Sequence, residues 1–503
     1  MSTGGITAGS GAAASGGGDG GTGATSSGGS ASGGTGGAGA NPGAGGTGGG
    51  TALGSLEVSG LQITINPLMP LGAFVTWSTD QPANSEVRFG QDGYQYHIVI
   101  PGEVTEHEVY VVGMRAGSEY DIQAVSTNAD ATGNATGQTT TGELPGFLVE
   151  RMDVVTPATE ATQPGYTLTN FWDSGQSPTV ALIVDFEGYP VWYYVNGDRN
   201  DGFGATSTDW TFDGTVLVGN AGAEPAREVD LEGNILWTGP TGGTALSHHT
   251  SKLRTGNYLV VRESASSARV EEIDADNAVV WDWDLYADSD VTNNGVSDWC
   301  HLNSVTTDAS EEYVFINCRF QGLFKVEKSS KNLMWQMGAA IDDDQIGDVA
   351  YLPDNSARFN DAHDPEVHED GTVLFYDNQG WENRMVGAGN GNFQSQVVEY
   401  QMNDADKEAT LSWVFPGDFE VDGWYTSSWS TPIWGDADRL ENGNVLVTAG
   451  ITGTDTGGMT PPGTNTRIFE VTRDGAVVWA VEWPEGKGSY RAERVSLAAT
   501  PLP

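Results

Sequence analysis

The chain has 503 residues, with 22 Lys and Arg against 68 Asp and Glu and a formal charge of −46. That balance excludes the basic surface that nucleic-acid binding needs. It also repels anionic ligands at long range, so any anion site must be built locally, from Arg and His in a shielded cavity. No apolar run approaches the ~18 to 20 residues that cross a bilayer as a helix.

Residues 1–52 are almost wholly Gly, Ala, Ser and Thr, with one acid (Asp19) and no aromatic residue. Such a stretch buries too little apolar surface to offset its ordering entropy, which predicts a disordered tether. Tethers of this kind precede β-rich domains in bacterial surface lipoproteins. The expectation is an exported protein, periplasmic or at the cell surface, with membrane attachment through a lipidated Cys upstream of these residues.

Residues 53–144 carry alternating apolar strands in L-Q-I-T-I, A-F-V-T-W-S-T, S-E-V-R-F-G, H-E-V-Y-V-V and S-E-Y-D-I-Q-A-V-S, which predict a small β-sandwich. V-T-W-S-T-D and V-G-M-R-A-G-S-E-Y resemble a fibronectin type III domain, which implies a corner position for Tyr120. His97 and His107 read as strand-surface residues.

From residue 145 to 503 a repeat takes over. A polar turn and an apolar strand close on Trp192, Trp237, Trp281, Trp335, Trp413 and Trp479. Between these run inner hairpins: F-D-G-T-V-L-V, R-T-G-N-Y-L-V-V, a degenerate copy at 308–315, E-D-G-T-V-L-F and E-N-G-N-V-L-V. Two hairpins per repeat make four strands, and such a unit buries both faces only inside a ring. The predicted architecture is all-β, a six-bladed β-propeller. The C-terminal Y-R-A-E-R-V-S-L supplies the missing inner strand of the blade begun by V-A-L-I-V-D-F-E-G-Y-P-V-W. Cys300 and Cys318 flank a hairpin turning near Ala309–Ser310, which leaves a cross-strand disulfide and two buried thiols both open.

In a propeller the first residues of the innermost strands reach the mouth of the axial channel. Counting about seven residues back from each inner turn gives Ser207, His249, His301, His363, Asp436 and Arg491, with Trp299, Asn303, Asp364, Trp429 and Trp434 beside them. His248 reads as the turned-away neighbour of His249, and His368 as a surface residue. Imidazoles serve as nucleophiles or general acids and bases, Arg forks bind tetrahedral oxyanions, and Trp walls suit an aromatic group. Asp288, Asp290, Asp298 and Asp342–Asp344 do not complete a calcium-loop pattern, and neither a metal site nor a cofactor is predicted.

D-W-C-H-L-N-S, D-A-H-D followed by L-F-Y-D-N-Q-G and Arg384, and Y-R-A resemble the bacterial arylsulfotransferases that work without PAPS, over most of residues 60–497. The resemblance implies a β-sandwich joined to a six-bladed propeller. It also implies ping-pong transfer of a sulfuryl group from an aryl sulfate, through a histidine, to a phenol. His301, His363 and Arg384 match the residues that surround the transferred group. The family's sulfate-accepting histidine belongs at the end of the fifth inner hairpin, where this chain reads V-L-V-T-A-G-I-T-G-T and has none. His363 and His249 are then the nucleophile candidates, with Arg491, Asn303, Asp436 and Trp299 binding substrate. Two other readings compete: a metal-dependent propeller hydrolase or lyase with His249, His301 and His363 as ligands, and a non-catalytic surface protein that binds a ligand at the channel mouth.

Overall fold

Short apolar runs separated by Gly- and Asp-bearing turns favour hairpins, and the described chain is all-β apart from one short helical turn at Trp424–Ser428. The computed structural model describes residues 54–502 except 174–177, 198–206, 220–223, 241–245, 265, 290, 292–298, 339–349, 354–358, 360, 380–393, 407, 432 and 452–464. The expected tether and Arg384 lie outside the described residues. Leu53–Pro503 forms one compact unit. Among the described residues, no helix is long and apolar enough to cross a membrane.

The segment expected to be a β-sandwich is a seven-stranded sheet. Its long strand Ala73–Gly90 pairs with Val58–Ile65 through its first half and with Glu119–Thr127 through its second, while Tyr96–Val111 pairs along the other edge. Register breaks between Ser78 and Ser85 let the sheet close over one core that contains Val75, Trp77, Val87, Phe89, Val109 and Ile122. Tyr120 is buried at the corner, where its hydroxyl accepts from the Arg115 amide at 2.8 Å. His107 is not a surface residue. It stacks on Trp77 at 4.7 Å and bridges the Thr79 and Ser85 hydroxyls, and burial lowers its pKa.

Among the described residues the repeat forms six groups of four antiparallel strands, or units. The first comprises Thr208–Trp210, Val216–Val218, Arg227–Val229 and Ile235–Thr238. The second spans Leu246–Lys252 to Val279–Asp284, the third Leu302–Thr307 to Asn332–Met337, the fourth His363–Val367 to Glu408–Phe415, and the fifth Asp436–Arg439 to Val477–Glu482. Ala350–Pro353 pairs in parallel with the outer strands of the third and fourth and joins them into one nine-stranded sheet, and Asp153–Thr156 adds a further strand to the fifth. A split unit joins the C-terminal strand Ala492–Val495 to Tyr166–Asp173, Thr179–Val184 and Pro190–Asn196, as the Y-R-A-E-R-V-S-L reading expects. The second strand of a unit is apolar without alternation: Val216–Val218, Tyr258–Val261 and Val445–Ala449 are buried at every residue. A sheet packed between two neighbours has no solvent face, and each fully buried Val or Leu contributes roughly 1.5–3 kcal/mol.

Every unit carries a register break where its outer strand approaches the repeated Trp. Several of these indoles donate across to the next unit: Trp192 to Leu231 O, Trp281 to Lys328 O, Trp413 to Arg473 O, and Trp479 back to Phe186 O of the split unit, all at 2.9–3.0 Å. The innermost strands are also linked by side chain to backbone. Glu493 accepts from Trp210 N, His249 from Val305 N, Glu366 from Arg439 N and Asp436 from Ala492 N, and Asn303 donates to Ala362 O. Arg115 pairs with Asp185 at 2.6 Å, and Thr500–Pro501 extends the N-terminal sheet, so the two parts of Leu53–Pro503 are tied at both ends of the repeat.

Candidate active site

His363 begins the innermost strand of the fourth unit and is buried. Its Nδ1 lies 2.7 Å from Asn378 Oδ1 and 3.0 Å from Asp361 O. Asn378 is itself fixed, because its Nδ2 donates to Thr431 O and Trp434 O, both at 2.7 Å. An amide whose two N–H groups are spent on carbonyls must present its oxygen to the imidazole, so Nδ1 carries the proton and Nε2 the lone pair. Burial pushes His363 well below the ordinary imidazole range, and Arg319, His248 and His301 stand near enough to push it further against the Asn378 bond. His363 is thus a buried imidazole held in the tautomer that leaves Nε2 its lone pair.

Sequence alternation turned His248 away from this pocket, but the strand brings its ring to His301. The register between Leu246–Lys252 and its partner breaks from Ser247 to Thr250, and His248 takes φ 25°. A bulge re-aims two adjacent side chains that strict alternation would place by parity. The His248 ring therefore meets His301 edge-on at 5.0 Å and Tyr490 at 6.5 Å. His249 goes inward: Nδ1 accepts from Val305 N at 3.0 Å, which leaves Nε2 to carry the proton, 3.3 Å from Asp209 Oδ2. Arg491 Nη1 is also 3.0 Å from Nε2. Both are donors, so we read that approach as packing around the shared carboxylate of Asp209.

His301 has φ 50°, and its ring lies 5.4 Å from that of Phe320. The adjoining Arg319 is buried, lies over Phe320 and sits 4.0 Å from Asp361. Tyr490 is fully buried between these groups, 6.0 Å from His363 and 6.1 Å from Trp434, with its hydroxyl donating to Asn303 O. Trp172 and Trp434 complete an apolar wall with Tyr490.

Of the residues expected to bind substrate, Asn303 is a bridge. It donates to Ala362 O and accepts from Asn317, which also donates to Ala362 O, so the pair clamps the residue before His363. Trp299 packs against Tyr286 beside the core of the second and third units. Arg491 is buried with Nη1 2.8 Å from Asp209 and Nη2 2.7 Å from Asp364. Burial opposes its charge, but Asp364, Asp209 and Asp436 hold its pKa well above the ordinary value. Burial raises Asp209, but His249 and Arg491 outweigh this and hold it below the usual carboxylate range. Burial, Asp438 and Asp364 keep Asp436 protonated well above that range. Arg491 is thus the hub of a buried charge network behind the imidazoles. His368 is half-buried beside Glu366, and burial pulls it down to about 4.

The stretch where the resemblance implies a histidine, residues 445–454, includes Gly450, and its residues 452–454 lie outside the described residues. A Cβ on Gly450 would lie 2.4 Å from Ile433 O and 2.8 Å from Trp434 O, so no side chain fits without moving that backbone. His248, Tyr490, Arg319 and Asn378 are the residues that pattern reading missed. Arg319 and Asn378 did carry a signal, since each directly follows the second strand of its unit, after Cys318 and Asp377. Cys300 and Cys318, the chain neighbours of His301 and Arg319, form a disulfide. Among the described residues, no group of three His, Cys, Asp or Glu could hold a metal ion.

No curated protein matches the chain. Similar solved structures include a Bacteroides caccae protein of unknown function (13% identity, 64% of this chain and 94% of that one, TM-score 0.40). Another is the Cps50 (Swd1) beta-propeller domain of Myceliophteria thermophila (11%, 64% and 89%, TM-score 0.37), and a third is virginiamycin B lyase of Staphylococcus aureus (10%, 66% and 88%, TM-score 0.32). The arylsulfotransferase (ASST) family profile matches residues 151–491, which contain His248, His301, His363 and Arg491. The chain belongs to the arylsulfotransferase family.

Proposed function

We propose that this protein transfers a sulfuryl group from an aryl sulfate to a phenolic acceptor, with His363 as the nucleophile. The observation that carries the reading is the Asn378 bond to His363 Nδ1, which leaves a buried, neutral imidazole with its Nε2 lone pair. Nε2 attacks sulfur and the S–O(aryl) bond breaks. The sulfuryl group then rests on nitrogen until a phenol oxygen takes it. Arg319 faces the same centre and stabilises the charge that builds on the sulfuryl oxygens, and Arg384 shares that role by its place in the family motif. The aromatic wall of Trp172, Trp434 and Tyr490 receives the aryl group.

The same reading takes the six units as blades of one closed propeller. It is supported by the circuit of inner-strand links and by Trp479 reaching back to Phe186. The Gly-rich N-terminus and the disulfide support an exported protein, held at a membrane or free in the periplasm.

The test is incubation with p-nitrophenyl sulfate and a phenol, following phenolate release and the sulfated product, with mass spectrometry of the quenched enzyme. The expected result is transfer in the wild type, a sulfuryl adduct on His363, and loss of both in His363→Ala. No release by the wild type, or release unchanged in His363→Ala, overturns the reading.

A further inference from the structure

Along the ring, a glutamate of one unit is repeatedly held by a cation of the next. Glu228, Glu272, Glu399 and Glu470 each lie on a third strand, paired with an apolar residue of the second strand and with the repeated Trp of the outer one. Lys252 reaches Glu228, Lys328 reaches Glu272, Arg439 reaches Glu399 and Arg494 reaches Glu470, all at 2.6–2.9 Å.

The junction of the third and fourth units reverses this pattern. Lys325 stands where the glutamates stand, paired across the ladder with Phe315 and Trp335, and it reaches Asp404 of the fourth unit at 3.1 Å. The inner strand of the fourth unit ends on Val367, where those of the second and fifth end on Lys252 and Arg439. A valine is several atoms shorter than either cation, and a cavity of about 490 Å³ opens beside it. That volume suits a small organic ligand. Its walls include Tyr313, Phe315, Trp335, Val367 and Met402, and Asp308 and Glu369 stand on the two inner turns that border it.

The rings already seat one ammonium. Lys325 Nζ lies 4.2 Å from the centroid of Tyr313, 5.6 Å from that of Phe315 and 5.9 Å from that of Trp335, where a cation meets the negative face of a ring. Asp308, Glu369 and Asp404 outnumber Lys325 among the lining charges. His368, which burial pulls down to about 4, adds no charge at neutral pH. An aromatic cavity bordered by carboxylates repels anions and favours a cation on an apolar stem.

We propose that this cavity binds an alkyl- or arylalkylammonium, its stem in the space left by the missing inner-strand Lys or Arg and its head toward Asp308 and Glu369. His363 and Val367 are the first and last residues of one strand, so the site lies roughly 13 Å from the nucleophile, at the other end of that strand. It is separate from sulfuryl transfer and is tested apart from it.

Isothermal titration calorimetry of the full chain with three probes of one frame, phenethylamine, 2-phenylethanol and phenylacetate, tests the assignment. Phenethylamine, protonated at neutral pH, should bind at least about tenfold more tightly than the alcohol, the scale of a desolvated cation–π contact, and phenylacetate should not bind. Val367→Lys supplies the chain that the second unit carries, and Met402→Trp fills the cavity without changing its charge. Each should weaken phenethylamine by about tenfold or more. Preference for phenylacetate would assign Lys325 an anion and overturn the proposal. Equal affinity for amine and alcohol, or no binding of the amine, overturns it too. So does unchanged affinity in Met402→Trp, the mark of diffuse attraction to an acidic surface.

Discussion

His363 Nδ1 lies 2.7 Å from Asn378 Oδ1, across the hairpin that both residues bracket. One amide, locked by two carbonyls of the segment before the fifth unit, decides which imidazole nitrogen is a base.

Asn378→Ala should therefore lower transfer by about 10²-fold, the scale of a mispositioned catalytic imidazole. It also takes the Asn378 donor from the Trp434 carbonyl and leaves Thr431 O with the longer bond from the Ser395 hydroxyl at 3.4 Å, a loss of roughly 1–3 kcal/mol, so the melting temperature should fall as well. Asn378→Asp keeps an acceptor for Nδ1–H and should retain more activity than Ala in the phenolate-release assay.

Arg491→Met should unfold the centre rather than merely weaken binding. It strips Asp209 and Asp364 of the guanidinium they face at 2.8 and 2.7 Å. Removing one partner from a buried charge network costs about 3–5 kcal/mol, which urea titration would measure. A variant as stable as the wild type would show that the carboxylates find other partners.

Asp436 sets a pH dependence of definite sign. Its folded pKa is raised by burial and then by Asp438 and Asp364, against the opposing charge of Arg491. Its contribution is therefore fully present below the unfolded value of about 4 and is lost as pH rises toward the folded one. Asp436→Asn removes this titration and leaves the depressed His363 common to both proteins. The stability of the wild type relative to the variant should fall as pH rises above about 4. A difference that stays flat over that range would place Asp436 among ordinary ionised carboxylates.

The Cys300–Cys318 disulfide closes a short loop, at a sequence separation of 18, around the hairpin that presents His301 and Arg319. Loss of a crosslink over such a loop costs about 3 kcal/mol. The double Cys→Ser variant should lose that much in denaturant titration, and the wild type should match it once reduced.

Chelation should not touch transfer. Among the described residues no three His, Cys, Asp or Glu come together as a metal set. Dialysis against EDTA should leave phenolate release unchanged, and recovery only upon adding a divalent metal would restore the metal-dependent reading.

The sequence by itself determined what depends on neighbours along the chain. Turn residues, strand pairs and the repeated Trp gave the hairpins, and the unpaired Y-R-A-E-R-V-S-L strand gave the joining of both ends in one unit. His301 and His363 were legible because each opens an inner strand at a countable distance from its turn. Counting stopped working where the backbone leaves the regular pleat. The bulge at 247–250 brings His248 to His301 while His249 stays against Asp209 and Arg491, and alternation carries no sign of it. Arg491 looked like an anion clamp until Asp209, 282 residues away in sequence, came to 2.8 Å of it. Whether a charge is free or spent depends on partners brought from other strands, as does the space at Gly450. Only the tertiary structure decided those, because long-range packing fixes distance and solvent exclusion, and these two set the chemistry of a buried imidazole or guanidinium.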